Sequence, residues 1–279
     1  MGLARHRADT PRRACNGVAL IVAMVVMASL GSGRPAKASA PTYVEIPATA
    51  FVSVIATEPD ATPAVIAAYA LRREPVTNAE FLAFVMQHPQ WQRGHVAVLF
   101  AESRYLAQWQ AANQLGDLVL PDQPVTQVSW FAAAAFCESE RARLPTWLEW
   151  ERAAAASSTV ADARNDPLWR QKMLDWYARP SRGALASIGG PPNLFGIRDL
   201  HGLIWEWTDD FNALMVTSDS RDQGDPDRLK FCGAGALSLR DRANYALLMR
   251  IAMLSSLHAV DTTTSLGFRC ARPLAGKTP

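Results

Sequence analysis

Asp199 and Glu206 give this chain its most concentrated chemical signal. They bracket Leu200-His201-Gly202-Leu203-Ile204-Trp205, a turn segment whose carbonyls are free to point inward. Two carboxylates with carbonyls between them are hard oxygen donors of the kind calcium takes. The plainer alternative is that Glu206 accepts buried hydrogen bonds from backbone or tryptophan N–H groups, with no metal bound. A second concentration of polar groups follows. Arg240, Asp241, Arg242, Asn244, Tyr245, Arg250 and His258 surround the apolar Leu247-Leu248-Met249 and Ile251-Ala252-Met253-Leu254. Either these groups converge on a ligand in a cleft, or Arg242 and Arg250 pair with Asp241 or Glu206 and hold irregular loops together. If the segment carries catalysis, Tyr245, Arg250 and His258 are the residues to test.

Other chemistries are unsupported by spacing. His88, His95, His201 and His258 are scattered, with no His-Glu-x-x-His pair to place two imidazoles on one helix face. Asp219, Asp222, Asp225 and Asp227 lack a closing bidentate glutamate and read as a solvated acidic loop. No glycine-rich phosphate loop follows a strand, and no Gly-x-Ser-x-Gly elbow occurs.

Short elements must position these groups. Thr42 to Ala56 alternates and favours strand, with Tyr43, Val44, Ile46, Phe51 and Val52. Thr77-Asn78-Ala79-Glu80 is a capping box that opens a helix carrying Phe81, Phe84 and Val85. A second helix begins near Ser129 and runs through Trp130, Ala134 and Cys137 towards Arg143. Thr146-Trp147-Leu148-Glu149 is another capping box, for a third helix reaching about Ala156. Beyond Ala156 periodicity fades, Asp166 to Pro192 is rich in turn formers, and an irregular scaffold is expected.

Residues 1–40 read as a signal peptide and 41–279 as a single domain. Arg5, Arg7, Arg12 and Arg13 form a basic start, Gly17 to Leu30 is an apolar stretch too short to span a membrane comfortably, and small-x-small sites end at Ala38 and Ala40. The expected location is periplasmic or secreted, with no membrane attachment after cleavage. Six of the 28 basic and one of the 26 acidic residues lie in the leader, leaving 22 against 25 and a net charge of −3. Such a chain lacks the basic stripe that nucleic acid requires. Cys137, Cys232 and Cys270 remain, an odd number for an oxidising compartment. One pair plus one buried thiol is the simplest arrangement, and Cys232 with Cys270 is the expected pair because each flanks a likely strand near the C-terminus.

Four segments, in order, resemble the formylglycine-generating enzyme, or sulfatase-modifying factor, family. They are Glu74-Pro75-Val76-Thr77-Asn78-Ala79-Glu80-Phe81; Pro124 to Trp130 with Phe136-Cys137, Arg143-Leu144-Pro145-Thr146 and Glu149-Trp150-Glu151; Asn193 through Trp207; and Leu266-Gly267-Phe268-Arg269. The resemblance implies an α+β, C-type-lectin-like fold with few short helices and much irregular structure. It implies calcium held by Asp199, the carbonyls of Gly202 and Ile204, and Glu206, although Leu203 stands where the family usually has Asn. It also places residues 240–250 along a substrate groove. The family's oxidase binds copper through two nearby cysteines, and soft thiolates are what Cu(I) requires. Those places fall on about Asp241 and Ala246 here, so no copper is expected and formylglycine formation is the least supported reading. Phe100 to Trp109 and the cysteine-free stretch after Phe231-Cys232-Gly233 look most like exported NirV-type members. The expectation is therefore an accessory or maturation factor that binds a periplasmic protein or a small molecule. The alternative is an enzyme of different oxidative chemistry in the same groove, similar to the pyoverdine-maturation relatives.

Overall fold

A computed structural model describes residues 42–55, 62–178, 184–213 and 245–274. The fold is α+β, built of short strands and short helices. Strands β1 (Tyr43–Ile46), β4 (Tyr69–Arg72) and β7 (Ala271–Pro273) form an antiparallel sheet in the order β1-β4-β7, so β4 joins the two ends of the domain. Tyr43 lies opposite Arg72, and Leu71 opposite Ala271. Strands β2 (Thr49–Phe51) and β3 (Ala64–Ile66) make a separate antiparallel pair. The strand expected over Thr42 to Ala56 is thus divided between two sheets. Finally β5 (Trp205–Glu206) runs parallel to β6 (Leu266–Gly267), which ties the acidic turn to the closing segment.

Both capping boxes form. The Thr77 side chain accepts from Glu80 N–H, and the Glu80 carboxylate accepts from Thr77 N–H, opening α1 (Asn78–Gln87). Thr146 and Glu149 do the same for α3 (Trp147–Ala154), while Ser129 caps α2 (Trp130–Ser139). Each box satisfies N–H groups that the first helical turn otherwise leaves without partners. The apolar faces then meet at one aromatic centre. Phe81 of α1 stacks on Phe136 of α2 at 5.8 Å, and Phe268 packs edge-on to both at 6.0 and 5.4 Å.

Two helices correct the expectation of irregular structure after Ala156. The first, α4 (Pro167–Tyr177), starts at Asp166, whose side chain accepts from Leu168 N–H, with Pro167 as the first helical residue. That pairing of cap and proline is a helix start in its own right. The second, α5 (Tyr245–Ser255), buries Leu247, Arg250, Ile251 and Leu254, a helical spacing that places an arginine on the core face.

Cys270 corrects another expectation. It bonds to Cys137 of α2, not to Cys232, with the Cα atoms 5.5 Å apart. Both cysteines are fully buried. Arg143 N–H donates to Ala271 O and Ala271 N–H to Arg143 O, bringing the strand next to Cys270 against the segment that follows α2. Cys232 lies outside the described residues.

Candidate functional site

The parallel pair β5 and β6 sets up the site. Trp205 N–H donates to Ser265 O and Trp207 N–H to Gly267 O, so Glu206 is held against Phe268-Arg269. A side chain at position 267 has no room: a Cβ there would sit 2.3 Å from Val125 O. The glycine therefore permits the close approach on which the site depends.

Glu206 and Arg269 are both fully buried and form a two-pronged ion pair. Arg269 Nε donates to Oε2 at 2.7 Å and Nη2 to Oε1 at 2.8 Å. Trp150 Nε1 of α3 donates to Oε2 at 2.9 Å. The rest of the guanidinium is spent on carbonyls: Nη1 donates to Arg72 O and Arg73 O, and Nη2 to Arg198 O. This one side chain gathers β4, the turn at Arg198 and β5. Its fork geometry and permanent charge suit such a buried multiple contact.

Asp199 stands apart from that pair. Its two carboxylate oxygens accept from Gly189 N–H at 2.8 Å and Gly190 N–H at 3.0 Å, and its backbone adopts φ +59°. Ile204 is buried, whereas Gly202 is exposed. This donor set does not fit a calcium ion. Both Glu206 oxygens are occupied by cationic or indole donors, and a guanidinium in the first layer around the carboxylate opposes a second cation there. The tryptophan hydrogen bond foreseen as the metal-free alternative is present, with an arginine added. Chelation with EDTA, followed by excess Ca2+, is expected to leave the melting temperature of residues 41–279 unchanged. A rise of several degrees on calcium addition would contradict this.

An aromatic wall lines the other side of Trp150. Arg250 of α5 is fully buried, with its guanidinium carbon 3.7 Å from the Trp150 ring centroid and 5.6 Å from that of Trp205. Tyr177 of α4 packs on Trp205 at 5.2 Å. Arg250 and Tyr177 lie near each other, yet none of the three Arg250 nitrogens, nor the Tyr177 hydroxyl, makes a well-formed hydrogen bond among the described residues. Burial pushes the Arg250 pKa down and the Tyr177 pKa up, each partly offset by the attraction of the other group.

His201 lies between Trp150 and Trp169, 5.7 and 5.6 Å from their centroids. Its Nε2–H donates to Ala154 O, which leaves Nδ1 as a buried acceptor without a partner. Desolvation, reinforced by Arg250 and Arg269, lowers its pKa from 6.5 to about 4. A proton taken up between those values binds the unfolded chain and not the folded one, so stability falls as pH drops through that window. The difference in unfolding free energy between wild type and His201→Phe is expected to slope by about 1.4 kcal/mol per pH unit at its steepest, between roughly pH 4 and 6.5. A flat difference would show that His201 titrates normally.

The remaining candidates separate. Arg240, Asp241, Arg242 and Asn244 lie outside the described residues, and Tyr245 opens α5 with its side chain outside them. His258 is 86% exposed and pairs with Asp261 at 3.3 Å, whereas Arg250 is in the core, so these two catalytic candidates do not share a site. Trp150, Tyr177, Trp205 and Arg269 were not foreseen as site residues. Trp150, Trp205 and Arg269 carried a usable signal, through their places in the motif segments, whereas Tyr177 carried none.

A model of the sulfatase-modifying factor enzyme 1-like domain matches residues 30–274. The chain belongs to that family. Among curated relatives of this sulfatase-modifying factor-like protein, hercynine oxygenase of Mycobacterium tuberculosis is 29% identical over 160 residues, covering 51% of this chain and 38% of the relative. The formylglycine-generating enzyme of Bos taurus is 30% identical over 173 residues, covering 54% and 44% respectively. The matched stretch is thus less than half the length of either relative. A solved structure of CarF aligns over 84% of this chain and 99% of its own, at 13% identity and a TM-score of 0.49.

The copper pair of the family's oxidase does not fit this member. Of its three cysteines beyond the leader-like segment, two are joined to each other, so one chain retains at most one thiol there. A two-thiolate Cu(I) centre cannot be assembled from it.

Proposed function

We propose that this protein is an exported, sulfatase-modifying factor-like accessory or maturation factor, which holds a periplasmic partner without copper-thiolate chemistry. The Cys137–Cys270 bond carries the reading. It supports an oxidising compartment, in keeping with the leader-like residues 1–40. It also leaves at most one thiol beyond the leader-like segment, where a Cu(I) centre needs two. A protein partner is supported by Val98 and Leu99, 92% and 71% exposed, beside Phe100, which packs against Trp91 and Phe131. Consecutive apolar side chains in solvent next to an anchored aromatic ring are a feature of contact surfaces.

A photo-crosslinking residue at Leu99, introduced in the exporting cell, is expected to trap a defined protein adduct that the same residue at exposed Gln171 does not. Purified protein given Cu(I), oxygen and a cysteine-containing sulfatase peptide is expected to form no aldehyde and to consume no more oxygen than copper and peptide alone. Oxygen consumption with aldehyde formation, and no adduct at Leu99, would reverse the assignment. The second reading, an enzyme of different oxidative chemistry, is favoured by the unpartnered Arg250 and Tyr177 groups, which a bound substrate would satisfy. It predicts that Tyr177→Phe abolishes the cellular phenotype without lowering thermal stability.

A further inference from the structure

We propose that Arg250 and Tyr177 form a buried site for one monovalent anion, a carboxylate group or a halide ion, against the wall made by Trp150 and Trp205.

Charge balance points to it. Among the described residues, the Trp150 side chain links one carboxylate, Glu206, which accepts from its Nε1, to two guanidinium groups, Arg269 on that carboxylate and Arg250 over the ring, all three fully buried. Arg269 takes the carboxylate in a two-pronged contact, and Trp150 occupies one of the same oxygens. Glu206 therefore attracts Arg250 only through space. His201 is neutral at pH 7 and adds no negative charge. Among the described residues one positive charge is left over, on a group that does not release its proton in proteins.

Stacking does not meet that demand. A guanidinium over an indole gains far less than taking an ion out of water costs. Stacking on Trp150 also covers only a face of the guanidinium. Its N–H groups lie in the plane, and all three nitrogens are without partners in the described structure. The buried Tyr177 hydroxyl lies close enough to Arg250 to interact with it, but no well-formed hydrogen bond joins them. Planar N–H donors together with a hydroxyl donor suit a carboxylate or a small halide. The groups come from three helices and a strand, α3, α4, α5 and β5, so the arrangement is a product of the tertiary fold. The inference does not depend on whether the protein is an accessory factor or an enzyme.

The test uses the mature protein dialysed into potassium gluconate, an anion too bulky for a closed site. Chloride, formate or acetate then replaces gluconate at constant ionic strength while thermal unfolding is followed. At least one of these anions is expected to give a saturable rise in melting temperature of about 5 °C. A rise with formate and acetate alone identifies a carboxylate site, and a rise with chloride identifies a halide site. Arg250→Met should abolish the response. If Arg250→Met does not fold, Tyr177→Phe decides, with an expected tenfold or greater weakening of the anion midpoint. No saturable rise in wild type with any of the three anions would overturn the proposal. So would an unchanged response in folded Arg250→Met, or, where that variant fails to fold, in Tyr177→Phe.

Discussion

Glu206→Ala is expected to destabilise the mature protein by about 3–5 kcal/mol, the range for breaking a buried ion pair from one side. The variant leaves two buried guanidinium groups, Arg269 and Arg250, with no carboxylate between them, and removes the acceptor for Trp150 Nε1. For a domain of this size the loss corresponds to a fall in melting temperature on the order of 10 °C. Arg269→Met removes the opposite partner but leaves Glu206 with Arg250 nearby, so its charge imbalance is smaller. Its cost comes mainly from the carbonyls of Arg72, Arg73 and Arg198, which lose their donor. The double variant should be less destabilised than the sum of the singles, because the unpaired charge is then gone. Urea unfolding of all four proteins measures this. Additive losses would mean that the two groups do not act as a pair.

Loss of the Cys137–Cys270 bond is the other large effect. It closes a loop over a sequence separation of 133 residues. In the chain-entropy model a loop of that length contributes about 5 kcal/mol, and removal of native disulfides typically costs about 2–5 kcal/mol. The bond joins α2 to the segment that enters β7, and β7 ties the end of the chain to β4. Cys137→Ala with Cys270→Ala, or reduction of the wild type, is expected to lower stability by about 3–5 kcal/mol in denaturant unfolding. Cys232→Ser breaks no cross-link and is expected to cost less than loss of the Cys137–Cys270 bond. The reverse pattern would mean that Cys232 carries the cross-link.

The parts of the fold legible in the sequence were those governed by local rules. Thr77-x-x-Glu80 and Thr146-x-x-Glu149 are complete capping instructions, and α1 and α3 begin where they say. The helices α4 and α5 were missed for different reasons. Asp166-Pro167 was read with the turn formers around it, although proline is well placed at a first helical position. In α5 the buried row Leu247, Ile251 and Leu254 is interrupted by Arg250, and a charged residue on a core face conceals the helical period.

At the site, the sequence singled out Glu206 by its motif, but not what neutralises it. Calcium and arginine are both plausible answers to a buried carboxylate. The choice rests on whether Arg269 reaches Glu206, a contact between residues 63 apart in sequence. Cysteine pairing is equally non-local. Strand-flanking position favoured Cys232, while the α2 to β7 packing selected Cys137. The orphaned nitrogens of Arg250 had no sequence signature, since burial without a partner is a property of the packed chain.

The central claim is that this family member keeps the scaffold but has no pair of thiols for copper. Alkylation of the unfolded, unreduced mature protein, followed by peptide mass spectrometry, tests it most directly. One alkylated cysteine, Cys232, and a cross-linked peptide pair containing Cys137 and Cys270 are expected. Two or more alkylated cysteines, or a cross-link through Cys232, would contradict it.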